Sequence, residues 1–349
     1  MIGAFVLAAA LSLTQQADEG AQETGSAPEP DGQIQEGPVL TLGASPESAP
    51  AEEDELVETA STYASFHEEV SAAGRRELRS GLDLDETMDA LAAYYSDDRL
   101  VDAQIAYAAL VAAQNPEFID AVRAIADYYG SDVAAQSLME DPLFVTGFMG
   151  ADAATQSVTS AIGEDVGRMD QVGLRYRQAA YNLQTEAWAQ RRARDRQERL
   201  AAIETASNRL TTNFRLSEEI APAAGAPTAQ RLGSAASLFE NDIVTDTTGP
   251  ITLSELEVTV GQRQLEPDER RVGQILVVAA LQSIEDGDMA YMDQLLSNPT
   301  VERCIAWAKL DLQQCVAAGH FKYEDAFCIA EHALGDVADC LTTARIVSN

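Results

Sequence analysis

Four cysteines in the last 46 residues are the side chains whose type and spacing most directly specify chemistry. They are Cys304, Cys315, Cys328 and Cys340. Paired cysteines form structural disulfides in an oxidising compartment, whereas free thiolates bind zinc or act as nucleophiles. Disulfides, metal sites and catalytic thiols each require different spacings between cysteines and other residues. The spacing of the four cysteines therefore indicates which of these functions they have.

The spacing favours two nested disulfides in an antiparallel helical hairpin. If the chain reverses near residues 319–322, the pairs Cys304–Cys340 and Cys315–Cys328 have midpoints of 322 and 321.5. A bond between Cys304 and Cys315 in one straight helix would have to close about 16 Å, against a Cα–Cα limit of about 7 Å. The sequence therefore predicts the nested connectivity. The layout resembles, in outline, the twin-cysteine helical-hairpin proteins, although the spacers of ten and eleven residues here are longer.

A metal or thiol site is the alternative chemistry for the region 304–340. Cys328 and His332 lie four residues apart on one helical face, His320 precedes Cys328 by eight, and Cys304 or Cys315 could complete a zinc tetrahedron. A catalytic cysteine with His332 as its base would need unpaired thiols. No short C-x-x-C pair is present in the sequence. We therefore expect no metal ligands, no cofactor and no catalytic residues, and we predict a non-enzymatic protein.

A cluster of arginines stands out in an otherwise acidic chain. Residues 165–215 contain ten arginines against six acidic residues. The densest part is the arginine segment, residues 188–199, which contains Trp188, Arg191, Arg192, Arg194, Arg196 and Arg199. Guanidinium groups can pair bidentately with carboxylates and phosphates. The segment is therefore either a solvated helix face neutralised by the protein's own acidic groups, or a docking strip for a protein partner or an anionic envelope surface.

Composition narrows the class of protein. The 349 residues include 57 acidic and 23 basic side chains, for a net charge of -34, which argues against nucleic acid as the main partner. A hydrophobic content of 46% supports packed cores, while only 6% of the residues are aromatic. We predict an all-α protein that acts as an exported scaffold or adaptor of a bacterial-type cell envelope and binds another macromolecule. Homo-oligomer formation is left open.

The N-terminal part predicts export to the periplasm or the exterior. Residues 2–13 form an apolar run that is too short to span a bilayer but fits a secretory signal, so residues 1–17 are interpreted as a signal peptide. Eleven acidic and no basic residues then lie between Asp18 and Glu55, so residues 18–54 are interpreted as a disordered acidic linker. No later run of 18 apolar residues occurs, and we expect no transmembrane helix in the mature chain.

Hydrophobic periodicity predicts helical hairpins in two domains. Residues 55–216 form the first, 217–250 a linker rich in small residues, and 251–349 a disulfide-clamped C-terminal helical domain. Because residues 151–216 contain no proline, a helix of about 40 or more residues is expected from about Gly173 onward, carrying the arginines as a hairpin arm or a stalk.

Residues 85–116 weakly resemble a single tetratricopeptide unit. Met88, Leu91, Ala92 and Tyr95 fit its first helix, and Ala103, Tyr107 and the Asn115-Pro116 end fit its second. The resemblance implies a helical-repeat interaction protein as a second alternative function. A single repeat cannot bury its own faces, so an ordinary helical hairpin is the favoured interpretation.

Overall fold

A computed structural model describes the chain over residues 55–96, 98–193, 196–209, 212–217, 231–240, 242–244, 264–284, 292–342 and 344–347. The predicted signal peptide (1–17), the predicted acidic linker (18–54) and Arg194 lie outside the described residues.

The protein is helical, which confirms the predicted fold class. The α-helices are α1 (Glu55–Arg75), α2 (Gly81–Ala92), α3 (Arg99–Ala113), α4 (Pro116–Tyr129), α5 (Ser131–Glu140), α6 (Ala151–Asn182), α7 (Arg196–Ser207), α8 (Glu269–Ser283), α9 (Met292–Leu296), α10 (Pro299–Ala318), α11 (Lys322–Cys328) and α12 (Asp336–Leu341). A π-helix, Ile329–Gly335, joins α11 to α12, and short 3-10 helices occupy Phe144–Gly147, Leu183–Thr185 and Ala235–Leu238. Two four-residue strands, β1 (Gln264–Pro267) and β2 (Ala344–Val347), pair antiparallel.

Helix boundaries follow local chemistry at the clearest positions. Pro116 opens α4, where its missing N–H costs nothing, and Gly130 ends the helix at a φ of 90°, which favours glycine. Pro299 opens α10 in the same way, and the side chain of Asn298 accepts a hydrogen bond from the Val301 amide. The sequence predicts both boundaries of α4 and of α10.

The centre of the fold is α3, which packs against α1, α6 and α8. All of its residues except Arg99 and Asp102 are buried, as expected of a helix that is apolar on every side. Helices from both sides of residues 217–250 contribute to one hydrophobic cluster. The boundaries of the two domains and of the linker stay predictions from the sequence.

The second helix does not form a repeat with the third. α2 packs mainly on α7 and α1, whereas α3 packs on α1, α8 and α6. The paired helices of a tetratricopeptide unit would instead pack on each other. The described packing therefore gives no support to the weak resemblance in residues 85–116.

The long helix lies earlier in the chain than the sequence predicts. α6 runs for 32 residues and ends at Asn182, so the expected helix of about 40 residues from Gly173 onward is wrong. Residues 186–193 are irregular, and α7 begins only at Arg196. The arginines are consequently divided between an irregular stretch and a short helix. Among the described helices, none is both long and apolar enough to cross a membrane.

Candidate binding site on the disulfide hairpin

Two disulfides join α10 to the helical run α11–π–α12, and we call these residues, Pro299–Leu341, the disulfide hairpin. Cys304 bonds Cys340 with Cα atoms 5.6 Å apart, and Cys315 bonds Cys328 with Cα atoms 5.7 Å apart. The nested connectivity predicted from the shared midpoints is confirmed. The chain reverses at Gly319–Phe321, between α10 and α11.

The disulfides remove the sulfur atoms from the alternative metal or thiol chemistry of residues 304–340. Every cysteine is bonded to another cysteine, so no thiolate is left to ligate a metal or attack a substrate in this state. The two histidines of that alternative site, His320 and His332, also lie in different environments. His320 is exposed at the turn, whereas Nδ1 of His332 lies 2.7 Å from Oδ2 of Asp336.

The arginine segment is attached to the turn of the hairpin by backbone hydrogen bonds. The amide of Ala193 donates to the carbonyl of His320 at 2.9 Å, and the amide of Tyr323 donates to the carbonyl of Ala189 at 3.2 Å. The Lys322 amide donates to the Arg191 carbonyl at 3.3 Å. These bonds engage the carbonyls of Ala189 and Arg191 and the amide of Ala193, and they fix the segment along one edge of the hairpin.

The arginine side chains fall into different environments. Arg191 and Arg192 are exposed beside the turn, and Arg196 is exposed at the start of α7. Trp188 is half-buried and packs against the core. Arg199 points inward, with its side chain only 9% exposed, and pairs with Asp325. Arg191, Arg192 and Arg196 are therefore the described arginines of this segment that a partner could reach.

Asp325 is the centre of a buried ionic group beneath the segment. Its side chain is 1% exposed and lies 2.8 Å from the ammonium of Lys322, which also pairs with Asp85. Burial raises the pKa of Asp325, and the charges of Lys322 and Arg199 oppose that rise. Because Lys322 and Asp325 belong to α11 and Arg199 to α7, the group holds the arginine-bearing part of the chain against the hairpin.

An apolar cleft of about 360 Å³ opens on the same edge of the hairpin. Its walls are Ala180 and Tyr181 from α6, Gln184 from the 3-10 helix that follows, Ala318 at the end of α10, Gly319 and His320 from the turn, and Tyr323, Glu324 and Phe327 from α11, with the Cys315–Cys328 disulfide between them. Tyr181 is 52% exposed and Phe327 is 43% exposed, although both are large and apolar. His320 in the turn and Tyr323 in α11 line the cleft and also hydrogen-bond to the backbone of the arginine segment.

The cleft is not predicted from the sequence. In the sequence, Phe327 directly precedes Cys328, and Tyr181 lies between the apolar residues Ala180 and Leu183. The cleft forms because α6 ends at Asn182, against the hairpin. Apolar periodicity predicts that the helix continues beyond this residue. The available signal is the cysteine register, which places Phe327 next to a disulfide.

No family model, curated protein or solved structure matches this chain. The function is therefore argued from the geometry and charge of the hairpin and its arginine segment.

Proposed function

We propose that the protein is an exported, non-enzymatic helical adaptor that binds an acidic segment of another protein at the apolar cleft. The observation that carries the proposal is the backbone pairing of the arginine segment with the turn that forms one wall of the cleft. Through that pairing the backbone of the exposed Arg191 and Arg192 lies alongside residues 320–323, of which His320 and Tyr323 line the cleft. Aromatic anchors next to arginines are the composition that protein interfaces favour.

The chemistry of the two parts is complementary. The cleft is large enough for one apolar side chain of a partner, which would contact Tyr181 and Phe327. The guanidinium groups of Arg191 and Arg192 would pair with carboxylates that flank this anchor. Such charge pairs mainly speed association and select the partner, while the apolar anchor supplies most of the affinity.

A protein segment suits the site better than an anionic membrane. The whole chain carries a net charge of -34, so a broad anionic surface would repel most of the face turned toward it. A narrow acidic peptide senses mainly the charges within a Debye length, about 8–10 Å at physiological salt. The local excess of arginine can then outweigh the distant acidic groups.

Export is part of the same proposal. The disulfides and the absence of a membrane-spanning helix among the described residues are compatible with a periplasmic or secreted protein. The apolar run of residues 2–13 supplies the proposed secretory signal. In this compartment the oxidised hairpin would present a rigid cleft to its partner.

Fluorescence anisotropy with a labelled Glu-rich peptide containing one central tryptophan tests the proposal on the oxidised full chain. We expect saturable binding that weakens with added salt. The double variant Arg191→Glu/Arg192→Glu should lower the affinity about tenfold or more, because two attractive charges become repulsive. The matched control is Arg270→Glu/Arg303→Glu, which changes the net charge equally at two exposed sites outside the cleft.

The control variant should bind within about twofold of the wild type, a change of about 0.4 kcal/mol. Equal losses in both double variants would show a general charge effect and contradict the site. Tyr181→Ala should also weaken binding, because it removes one wall of the cleft. Binding to vesicles of anionic phospholipid without binding to the peptide would replace the protein partner by a membrane surface.

A further inference from the structure

We infer that the disulfide hairpin binds a divalent transition-metal ion of the zinc class through Asp311, His332 and Asp336. These three side chains each offer one ligand atom, and the three atoms lie within 4.8 Å of one another. Asp311 belongs to α10, His332 to the π-helix and Asp336 to α12. The site is separate from the apolar cleft and does not depend on the proposed function.

The register of the hairpin explains why the three ligands meet. Asp311 and His332 have a midpoint of 321.5, the same as Cys315 and Cys328, so they face each other across the antiparallel helices. Asp336 follows His332 by four residues and lies on the same helical face. The ligands therefore form one level of the hairpin between its two disulfides.

The disulfides give this level a fixed geometry before any ion binds. They hold the helices with Cα atoms 5.6 Å apart at one end and 5.7 Å apart at the other. Ligands on helices that are locked in this way lose little conformational entropy on binding. His332 also lies within a π-helix, a rare local geometry that is frequent at functional sites.

The donor atoms suit zinc better than calcium or magnesium. Imidazole and carboxylate ligands bind Zn²⁺ at about 2.0–2.2 Å, whereas calcium and magnesium prefer oxygen ligands alone. The 2.7 Å between Nδ1 of His332 and Oδ2 of Asp336 is a hydrogen bond. Two tetrahedral ligands of one zinc ion are about 3.3 Å apart. His332 and Asp336 would therefore separate slightly, and the Asp311 oxygen, which lies within 4.8 Å of both, would approach by up to about 1.5 Å to admit the ion.

The surroundings favour a cation and leave it accessible. The neighbouring Glu331 is paired with Arg177 at 2.6 Å, so the Arg177 charge is directed to Glu331. Asp311 and Asp336 then supply two negative charges against one divalent ion. All three ligands are half-buried, which leaves room for a water molecule or a partner's carboxylate in the fourth position.

Calorimetric titration of the oxidised, chelator-treated full chain with zinc chloride tests the site. We expect one equivalent to bind, and Co²⁺ in its place should give the visible absorption of a site with nitrogen and oxygen ligands. Asp311→Asn, His332→Ala and Asp336→Asn should each lower the zinc affinity by about tenfold or more, since each removes one of three ligands. The matched controls are His320→Ala and Asp339→Asn, at exposed positions outside the ligand group.

The controls should retain the affinity of the wild type. Circular dichroism and a non-reducing intact mass should show that every variant keeps its helices and both disulfides. The site is overturned if the wild type takes up no stoichiometric zinc, or if Asp311→Asn and His332→Ala bind zinc as the controls do. Equally tight binding of calcium would also contradict it, because calcium would not use the imidazole.

Discussion

Two regions of the molecule are stabilised in different ways. One is the helical centre, formed by α1, α3 and α8, and the other is the disulfide hairpin. The centre contains no cysteine and depends on burial, with α3 enclosed by its neighbours. The hairpin keeps one face open to solvent, where Trp307 is 59% exposed, and two covalent bonds hold its helices together. The difference indicates that the crosslinks leave the outer surface of the hairpin available for binding. The helices of the centre have little exposed surface, because their stability depends on burial.

The helical centre also accepts ionisable groups that burial perturbs. Burial lowers the pKa of Arg271 in α8 to about 10 and lowers that of His67 in α1 to about 3. Arg271 donates to the carbonyls of Cys340 at 3.0 Å and Thr342 at 2.7 Å, which ties α8 to the end of the hairpin. The two regions are therefore joined by charged hydrogen bonds from the buried Arg271.

The largest expected effect comes from removing the crosslinks. Loop-closure entropy predicts that Cys304→Ala/Cys340→Ala lowers the free energy of unfolding by about 4 kcal/mol, and Cys315→Ala/Cys328→Ala by about 3 kcal/mol, because the outer loop is longer. Denaturant unfolding under non-reducing conditions measures both values. Losses below about 1 kcal/mol for either pair would contradict the view that the hairpin depends on its disulfides.

A smaller effect is expected where the arginine segment meets the hairpin. Asp325→Asn removes the carboxylate between Arg199 and Lys322 and should cost about 2–3 kcal/mol, because two cations are left without their buried partner. The matched control is Glu86→Gln, whose partner Arg76 lies at the surface, with an expected cost of about 0–1 kcal/mol. Equal costs in denaturant unfolding would remove the argument that Asp325 anchors the segment.

The smallest expected effect is a pH dependence that belongs to the centre. Burial lowers the pKa of His67 from 6.5 to about 3, so the unfolded chain binds a proton that the folded chain excludes as the pH falls. This group should therefore remove about 2 kcal/mol of stability between about pH 7.5 and about pH 5. The difference between the wild type and His67→Phe across this range isolates the effect.

His320→Phe is the matched control for that comparison, because His320 is exposed at the turn of the hairpin. Its pH profile of unfolding should follow that of the wild type. A His67→Phe profile parallel to the wild type would show that His67 does not titrate as a buried group.

The sequence predicts the hairpin well because covalent geometry limits the choices. Disulfide distances and an antiparallel register leave one pairing of the four cysteines, and Pro299 and Gly319 bound α10. The same register, applied to Asp311 and His332, would have placed these two side chains opposite each other. Spacing alone groups His332 with the cysteines, and therefore does not bring it together with Asp311 and Asp336, the ligands we propose.

The sequence fails where tertiary contacts decide the backbone. Apolar periodicity continues through Leu183 and Ala187, yet α6 ends at Asn182. The backbone of residues 189–193 finds its hydrogen-bond partners in the hairpin turn, which no local pattern reveals. Repulsion between Arg192 and Arg196, four residues apart, also disfavours a continuous helix there. Because the cleft forms at this helix end, the sequence does not predict the cleft either.

Hydrogen–deuterium exchange on the wild type and on Cys315→Ala/Cys328→Ala tests most directly whether the two regions are held by different means. We expect faster exchange in α10 and in α11, where the amides of Lys322 and Tyr323 donate to carbonyls of the arginine segment, and at the amide of Ala193, which donates to the His320 carbonyl. We expect unchanged protection in α1, α3 and α8, whose helices are buried and carry no disulfide. A uniform rise in exchange over all helices, or no change in the hairpin, would contradict this expectation.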